Sequence, residues 1–224
     1  MLVMVSNLQT DFFLDLSCKY GNIGNLFSPF SYSKRTLQLK KRSWTPSLFL
    51  PYSLDNGKFI TYSHNISWDK DLFISHCDRI FDFYLKPLWI VVPDVVGNRE
   101  QTLDNWCFWE SLLRKYGVPL AIAVQDGMTV NDIHNLNTFR DTDFIFVGGS
   151  TLWKLQTLCN WTANFKNVHC GRVNTWKRLW QCYHAGCTSV DGTGYFYKKQ
   201  QHDLELFLQI SSGNIIFHTQ LSLF

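Results

Sequence analysis

The stretch LAIAVQDGMTVNDIHNLNTFRDTDFIFVGGST, residues 120–151, carries the reading that decides the fold. It holds two apolar runs of strand length, Leu120–Val124 and Asp143–Val147, rich in Val, Ile and Phe. Each run ends in a polar, glycine-bearing group, Gln125-Asp126-Gly127 in one case and Gly148-Gly149-Ser150-Thr151 in the other. Between them Val130–Leu136 repeats its apolar residues, Val130, Ile133 and Leu136, at a spacing of three, close to the period of a helix. Strand, loop, helix and strand in that order form a crossover unit, which sets the two strands parallel.

Working outward, the same alternation recurs from about residue 47. Further strand-like runs are Leu48–Tyr52, Leu88–Val92, Asn167–Cys170 and Thr188–Val190. Helical periodicity appears near Lys70–Tyr84, Glu100–Tyr116, Thr151–Trp161, Asn174–Ala185 and His202–Ile210. Met1–Ser6 supplies a first strand and Asn214–His218 a last one, which completes eight. The expected fold is therefore a TIM-like (β/α)8 barrel, one domain over residues 1–224, with residues 9–46 as an irregular insertion after the first strand. No tandem repeat or low-complexity tract interrupts it.

Composition agrees with a packed domain: 46% of residues are hydrophobic and 17% charged, which excludes a disordered chain. Nine Trp exceed what a core requires, and some can line a groove where planar ligands stack. The net charge of +3 is small, but Lys34, Arg35, Lys40, Lys41 and Arg42 crowd one segment, either a solvated loop face or a phosphate contact. Seven Cys without a CxxC pair suggest neither a disulfide framework nor a zinc ribbon, and place the protein in a reducing cytoplasm. His169, Cys170, Cys182, His184 and Cys187 lack the close pairing of a metal site and read as core residues. No metal and no cofactor are called for. Met1–Leu8 has neither a basic start nor a cleavage site, and no run approaches a membrane span, so a soluble protein is expected.

The chemistry collects after the strands. Asp55-Asn56-Gly57, Pro93-Asp94, Gln125-Asp126-Gly127, Gly148-Gly149, Gly171-Arg172 and Asp191-Gly192 each follow an apolar run, at the strand ends where parallel barrels build their sites. Each group also has an ordinary use as a turn or helix cap. Asp55, Asp94 and Asp191 should emerge together at the rim, where carboxylates can divide the roles of nucleophile and proton carrier. Such a pair suits displacement at a sugar carbon, by transfer or by hydrolysis. The Gly148-Gly149 pair forms neither a P-loop nor a dinucleotide fingerprint, and Arg172 can hold a phosphate through two N–H groups.

Read together, Asp-Asn-Gly (55–57), Val-Pro-Asp-Val-Val-Gly (92–97), Val-Gln-Asp-Gly (124–127), Val-Gly-Gly-Ser-Thr-x-Trp-Lys (147–154), Gly-Arg-Val-Asn-Thr (171–175) and Ser-Val-Asp-Gly-Thr (189–193) resemble the queuine and archaeosine tRNA-guanine transglycosylase superfamily. The likeness runs over residues 48–197 and is stronger to the branch that places 7-deazaguanine in the DNA of phages and bacterial modification islands. That resemblance implies a glycosyltransferase that replaces guanine in DNA with a 7-deazaguanine such as 7-cyano-7-deazaguanine. Asp191 would be the nucleophile, forming a covalent aspartyl-sugar intermediate, and Asp55 the general acid/base. Asp94, Gln125, Gly148 and Gly149 would hold the base, while Arg172 and the basic segment 34–42 would contact phosphates. Expected partners are DNA, or tRNA in its place, and a free 7-deazaguanine; a second copy or a partner subunit is left open. Lys58 and Asp126 depart from the family pattern, and its zinc module is missing from this sequence, which favours DNA over tRNA. Other readings are RNA base exchange, nucleoside hydrolysis and an inactive base-binding barrel.

Overall fold

The computed structural model describes residues 1–6, 10–33, 35, 38–46, 50–196 and 200–213. In chain order the elements are β1 (Leu2–Ser6), α1 (Asp11–Lys19), β2 (Ile23–Phe27), β3 (Phe30–Ser33), β4 (Gln38–Lys41), β5 (Tyr52–Leu54), α2 (Lys58–Ser63), α3 (Lys70–Asp78), β6 (Ile90–Val91), α4 (Arg99–Leu113), β7 (Leu120–Val124), α5 (Val130–His134), β8 (Phe144–Val147), α6 (Thr151–Asn164), β9 (Val168–Cys170), α7 (Trp176–His184), β10 (Ser189–Asp191) and α8 (Gln201–Ser211). Eight parallel strands close in the order β1-β10-β9-β8-β7-β6-β5-β2, the expected TIM-like barrel, and β3 and β4 form a separate hairpin.

Alternation along the strands builds two cores. Val3, Ile23, Leu54, Ile90, Ile122, Ile145, Val168 and Val190 point outward into a layer shared with the helices. Met4, Leu26, Trp89, Val91, Ala121 and Ala123 point inward and fill the barrel, with Phe144 and Phe146 against them. This is the period-two pattern of a sheet covered on both faces. Helices begin where the chain offers a cap: Asn98 accepts from Gln101 N at 3.0 Å before α4, and Thr175 from Arg178 N before α7. At the opposite end of the barrel Arg114 joins Glu110 and Asp143, both at 2.6 Å, and Asp143 also accepts from Leu120 N at 2.9 Å, tying α4 to the starts of β7 and β8.

The eighth strand differs from expectation. It is β2, inside the segment read as an irregular insertion, which also carries α1 and the hairpin. Gly24 and Asn25 disguise it as a turn, but the glycine is required by packing: a Cβ there would lie 2.5 Å from the carbonyl oxygen of Pro51. Asn214–His218 lies outside the described residues, and the barrel closes without it because β1 pairs directly with β10 through Val3 and Val190. The run expected at 48–52 forms its strand slightly later, at Tyr52–Leu54.

Candidate active site

The inward alternation that fills the barrel continues past the strand ends, so the residues after Val91, Ala123 and Phe146 face a common mouth. There a cavity of about 210 Å³ is lined by Ser6, Ser28, Asp55, Asn56, Asp94, Gln125, Gly148, Gly149, Arg172 and Asp191, with Leu26, Phe30, Phe59, Ile60, Val91 and Phe146 as apolar walls. A small cavity with a few convergent polar groups is the usual form of a small-molecule site. Each of the six strand-end groups singled out in the sequence contributes at least one residue to this lining.

Two buried amides hold Asp94. Asn56 Nδ2 donates to its Oδ1 at 2.9 Å, and Gln125 Nε2 donates to Oδ2 at 2.7 Å. Gln125 is itself oriented, since its carbonyl oxygen accepts from Gly97 N at 3.0 Å. Burial dominates the proton affinity of Asp94 and pushes its carboxyl up to about 6, against the Asn56 hydrogen bond, its own backbone N–H and the charges of Lys58 and Arg172. Asp55 is pushed further, to about 7, first by burial and then by the charges of Asp191 and Asp94, with the Ser28 hydroxyl and the Asn56 N–H opposing. Its surface is half-buried because the cavity opens onto it, while protein surrounds the carboxyl on its other sides. A carboxyl in this range gives and takes a proton near neutral pH.

Asp191 sits on the opposite flank. His169 Nε2 donates to its Oδ1 at 3.0 Å, and Arg172 N donates to the same oxygen at 3.2 Å. The buried His169 ring is fixed by Ser189, whose hydroxyl meets Nδ1 at 2.8 Å, and by Trp89 and Phe146, with ring centroids 5.0 and 4.6 Å away. Arg172 has φ 57°, a left-handed conformation that is costly for a side-chain-bearing residue. It brings the guanidinium over the Phe59 ring, 4.1 Å from its centroid, and into contact with Gly149 O. Burial lowers the proton affinity of that guanidinium, so its charge is poorly hydrated and open to an anionic partner.

Asn56, His169, Ser6 and Ser28 are site residues that the sequence reading missed. Asn56 looked like a turn residue, and His169 like a core residue beside Cys170. The signal for His169 was its register, since it lies on β9 two residues before Gly171 and directly opposite Ser189 on β10. Lys154, 4% exposed, donates to Gly171 O beneath the rim and does not line the cavity.

The basic segment is elsewhere. Arg35, Lys40 and Lys41 are exposed on or beside the β3–β4 hairpin, Arg42 is half-buried after it, and none of them lines the cavity; Lys34 lies outside the described residues. Among the described residues no group of His, Cys, Asp and Glu could hold a metal ion, and Cys170, Cys182 and Cys187 are buried free thiols. No helix among them is long and apolar enough to cross a membrane.

No protein-family model matches the chain, and no curated protein matches its sequence. Solved structures of similar fold include one described as a native KDPGal structure, 10% identical, with a TM-score of 0.52 over 96% of this chain and 96% of that one. Another is described as a fructose-1,6-biphosphate aldolase from Coccidioides immitis, 10% identical, with a TM-score of 0.53 over 95% of this chain and 87% of that one. At such identities the likeness shows the fold.

These findings correct the activity expected from the motifs. The structural neighbours are aldolases and not transglycosylases, so the placement in the tRNA-guanine transglycosylase superfamily is withdrawn. With it go the glycosyltransferase activity, the exchange of guanine for 7-deazaguanine in DNA, and the RNA-exchange, nucleoside-hydrolase and inactive base-binding readings. DNA, tRNA and a free deazaguanine are withdrawn as partners, together with the phage setting. The motif set misled because much of it performs rim architecture that any parallel barrel needs. Gly57, Gly97, Gly127 and Gly149 take positive φ at turns, Asp126 accepts from Ser150 N, and Asn174 Oδ1 accepts from Thr193 N and Gly194 N.

The chain is thus a closed parallel (β/α)8 barrel whose mouth gathers three carboxylates, two amides and an arginine around a cavity sized for a small molecule.

Proposed function

We propose that the mouth of the barrel is the active site of an acid–base enzyme that cleaves or forms a bond beside the carbonyl of a small hydroxylated compound, a lyase of the aldol type. The observation that carries the reading is Asp55, a cavity-lining carboxyl held near neutral proton affinity. Its carboxylate takes the proton of a substrate hydroxyl. The carbon–carbon bond next to the hydroxyl-bearing carbon breaks, releasing an aldehyde, and its electron pair moves onto the neighbouring carbonyl as an enolate. Arg172, charged and with N–H groups to spare beyond its bond to Gly149, stabilises the enolate oxygen. The protonated Asp55 then returns the proton to the enolate carbon, so charge and atoms balance. Asp94 and Asp191 accept hydrogen bonds from the remaining substrate hydroxyls.

No lysine lines this cavity among the described residues, so the reading assigns the electron sink to Arg172 and not to an imine. The aldolases of similar fold support the reaction class as analogy of fold, while the proton-transfer assignment rests on the site itself.

The test uses proton NMR in D2O with the purified protein and a panel of 2-oxo acids and hydroxyketones, with and without phosphate groups. Wild-type protein should exchange the protons beside the carbonyl or cleave one panel member, and Asp55→Asn should lose that activity. Silence across the panel, or equal rates in the two proteins, would reject the proposal.

A further inference from the structure

A second cavity, of about 310 Å³, lies behind the first, between α2 and the loop that follows β6. Asp94 and Val96 line both cavities, so that loop is their common wall. The second cavity is framed by Lys58, Tyr62, Trp68, Ile66 and Val95. Its polar lining is one cation, Lys58, together with Thr61, Asn65 and the shared Asp94 carboxylate. Lys58 Nζ stands over the Trp68 ring, 4.1 Å from the centroid, and no carboxylate within ion-pair distance of it is recorded among the described residues. The position of Trp68 is fixed, because its Nε1 donates to Asn56 O at 2.8 Å. Tyr62 is 63% exposed at the rim, an aromatic wall with nothing packed over most of it.

We propose that this cavity is a binding site for a small oxyanion group, a phosphate or a carboxylate, held by Lys58 and enclosed by Trp68 and Tyr62. The ammonium already lies on an aromatic face, which leaves its remaining N–H donors for the ligand. Burial lowers its proton affinity and the charge of Asp94 offsets this only in part, a sign of poor hydration that a second anion would relieve. Asn56 links the site to the mouth. It receives Trp68 through its carbonyl oxygen and Lys58 N through its side-chain oxygen, while its amide group holds Asp94. An anion seated on Lys58 therefore bears on the residue that orients Asp94.

Binding can be measured without turnover, so this inference stands or falls separately from the proposed reaction. Inorganic phosphate and acetate are titrated in separate arms by isothermal calorimetry into wild-type protein, Lys58→Met, Lys58→Arg and Arg172→Met, each checked for folding by circular dichroism. The expected result is saturable binding of one probe, weakened at least about tenfold in Lys58→Met and retained in Lys58→Arg and Arg172→Met. The arm that binds names the oxyanion. Binding unaffected by Lys58→Met, binding lost only in Arg172→Met, or no saturable binding of either probe would each overturn the proposal.

Discussion

On the β5–β7 flank of the mouth, Asp94 takes its hydrogen bonds from two neutral amides, Asn56 and Gln125, and Asp55 stands beside it. Across the cavity, Asp191 is met by the imidazole of His169 and the backbone N–H of Arg172. The chemistry of the donors sets the two flanks apart. Burial raises both carboxyls on the first flank toward neutrality: at Asp94 a neutral amide offsets it only in part, and at Asp55 the charges of Asp191 and Asp94 add to it. On the second flank a fully buried ring, fixed by Ser189 and two aromatic neighbours, sets the position of Asp191. One flank is built to exchange a proton and the other to hold geometry.

The largest expected effect follows from breaking the first flank. Asp55→Asn keeps the shape and removes the exchangeable proton, and should lower turnover by about 10²–10⁴-fold. A rate within tenfold of wild type on the substrate identified by NMR would show that the flanks do not divide their roles in this way.

Stability against pH sharpens the same contrast. In the folded protein Asp55 keeps its proton up to about pH 7, whereas the unfolded chain releases it near pH 4. Its contribution is therefore fully present below about pH 4 and is lost as pH rises through 7, on the order of 2–4 kcal/mol after allowance for the open cavity. The buried His76 works in the opposite direction. Its proton affinity is depressed to about 3, mainly by burial, so stability falls as pH drops below the ordinary histidine value. Urea titrations of wild type and Asp55→Asn at pH 4.5 and 7.5 separate the two: the stability of the variant relative to wild type should rise with pH. A constant difference would contradict the assigned shift.

Breaking the second flank should appear in stability as well as in rate. His169→Leu removes the partner of both Asp191 and Ser189 and should cost about 2–4 kcal/mol in urea unfolding. Unchanged stability would remove His169 as the fixed support of Asp191. The smallest effect belongs to neither flank. Lys40→Glu with Lys41→Glu alters two exposed side chains away from the cavity and should leave turnover unchanged and stability within about 0.5 kcal/mol. A loss of turnover would bring the hairpin back into the site.

Much of the architecture was legible because it rests on local pattern. Leu120–Val124 formed the strand that its apolar run predicted, and the helices near residues 70, 100, 151, 174 and 202 began within one or two residues of expectation. Asp55, Asp94, Gln125, Gly148, Gly149, Arg172 and Asp191 were legible as neighbours, because a parallel barrel sends the end of every strand to one mouth. The strand at Ile23–Phe27 was not, since Gly24 answers to Pro51, a residue distant in sequence.

Alternating apolar runs separated by helical periods determined, from the sequence by itself, a parallel barrel with a rim rich in carboxylates. That information is local, because each side chain shows its preference for inside or outside within a few neighbours. Only the tertiary structure decided which strand closes the barrel, that His169 supports Asp191, that Asn56 and Gln125 hold Asp94, and that Lys58 faces a second cavity. Those pairings join residues from different strands and loops, and the proton affinities of Asp55 and Asp94 follow from burial and from charges that folding alone brings together.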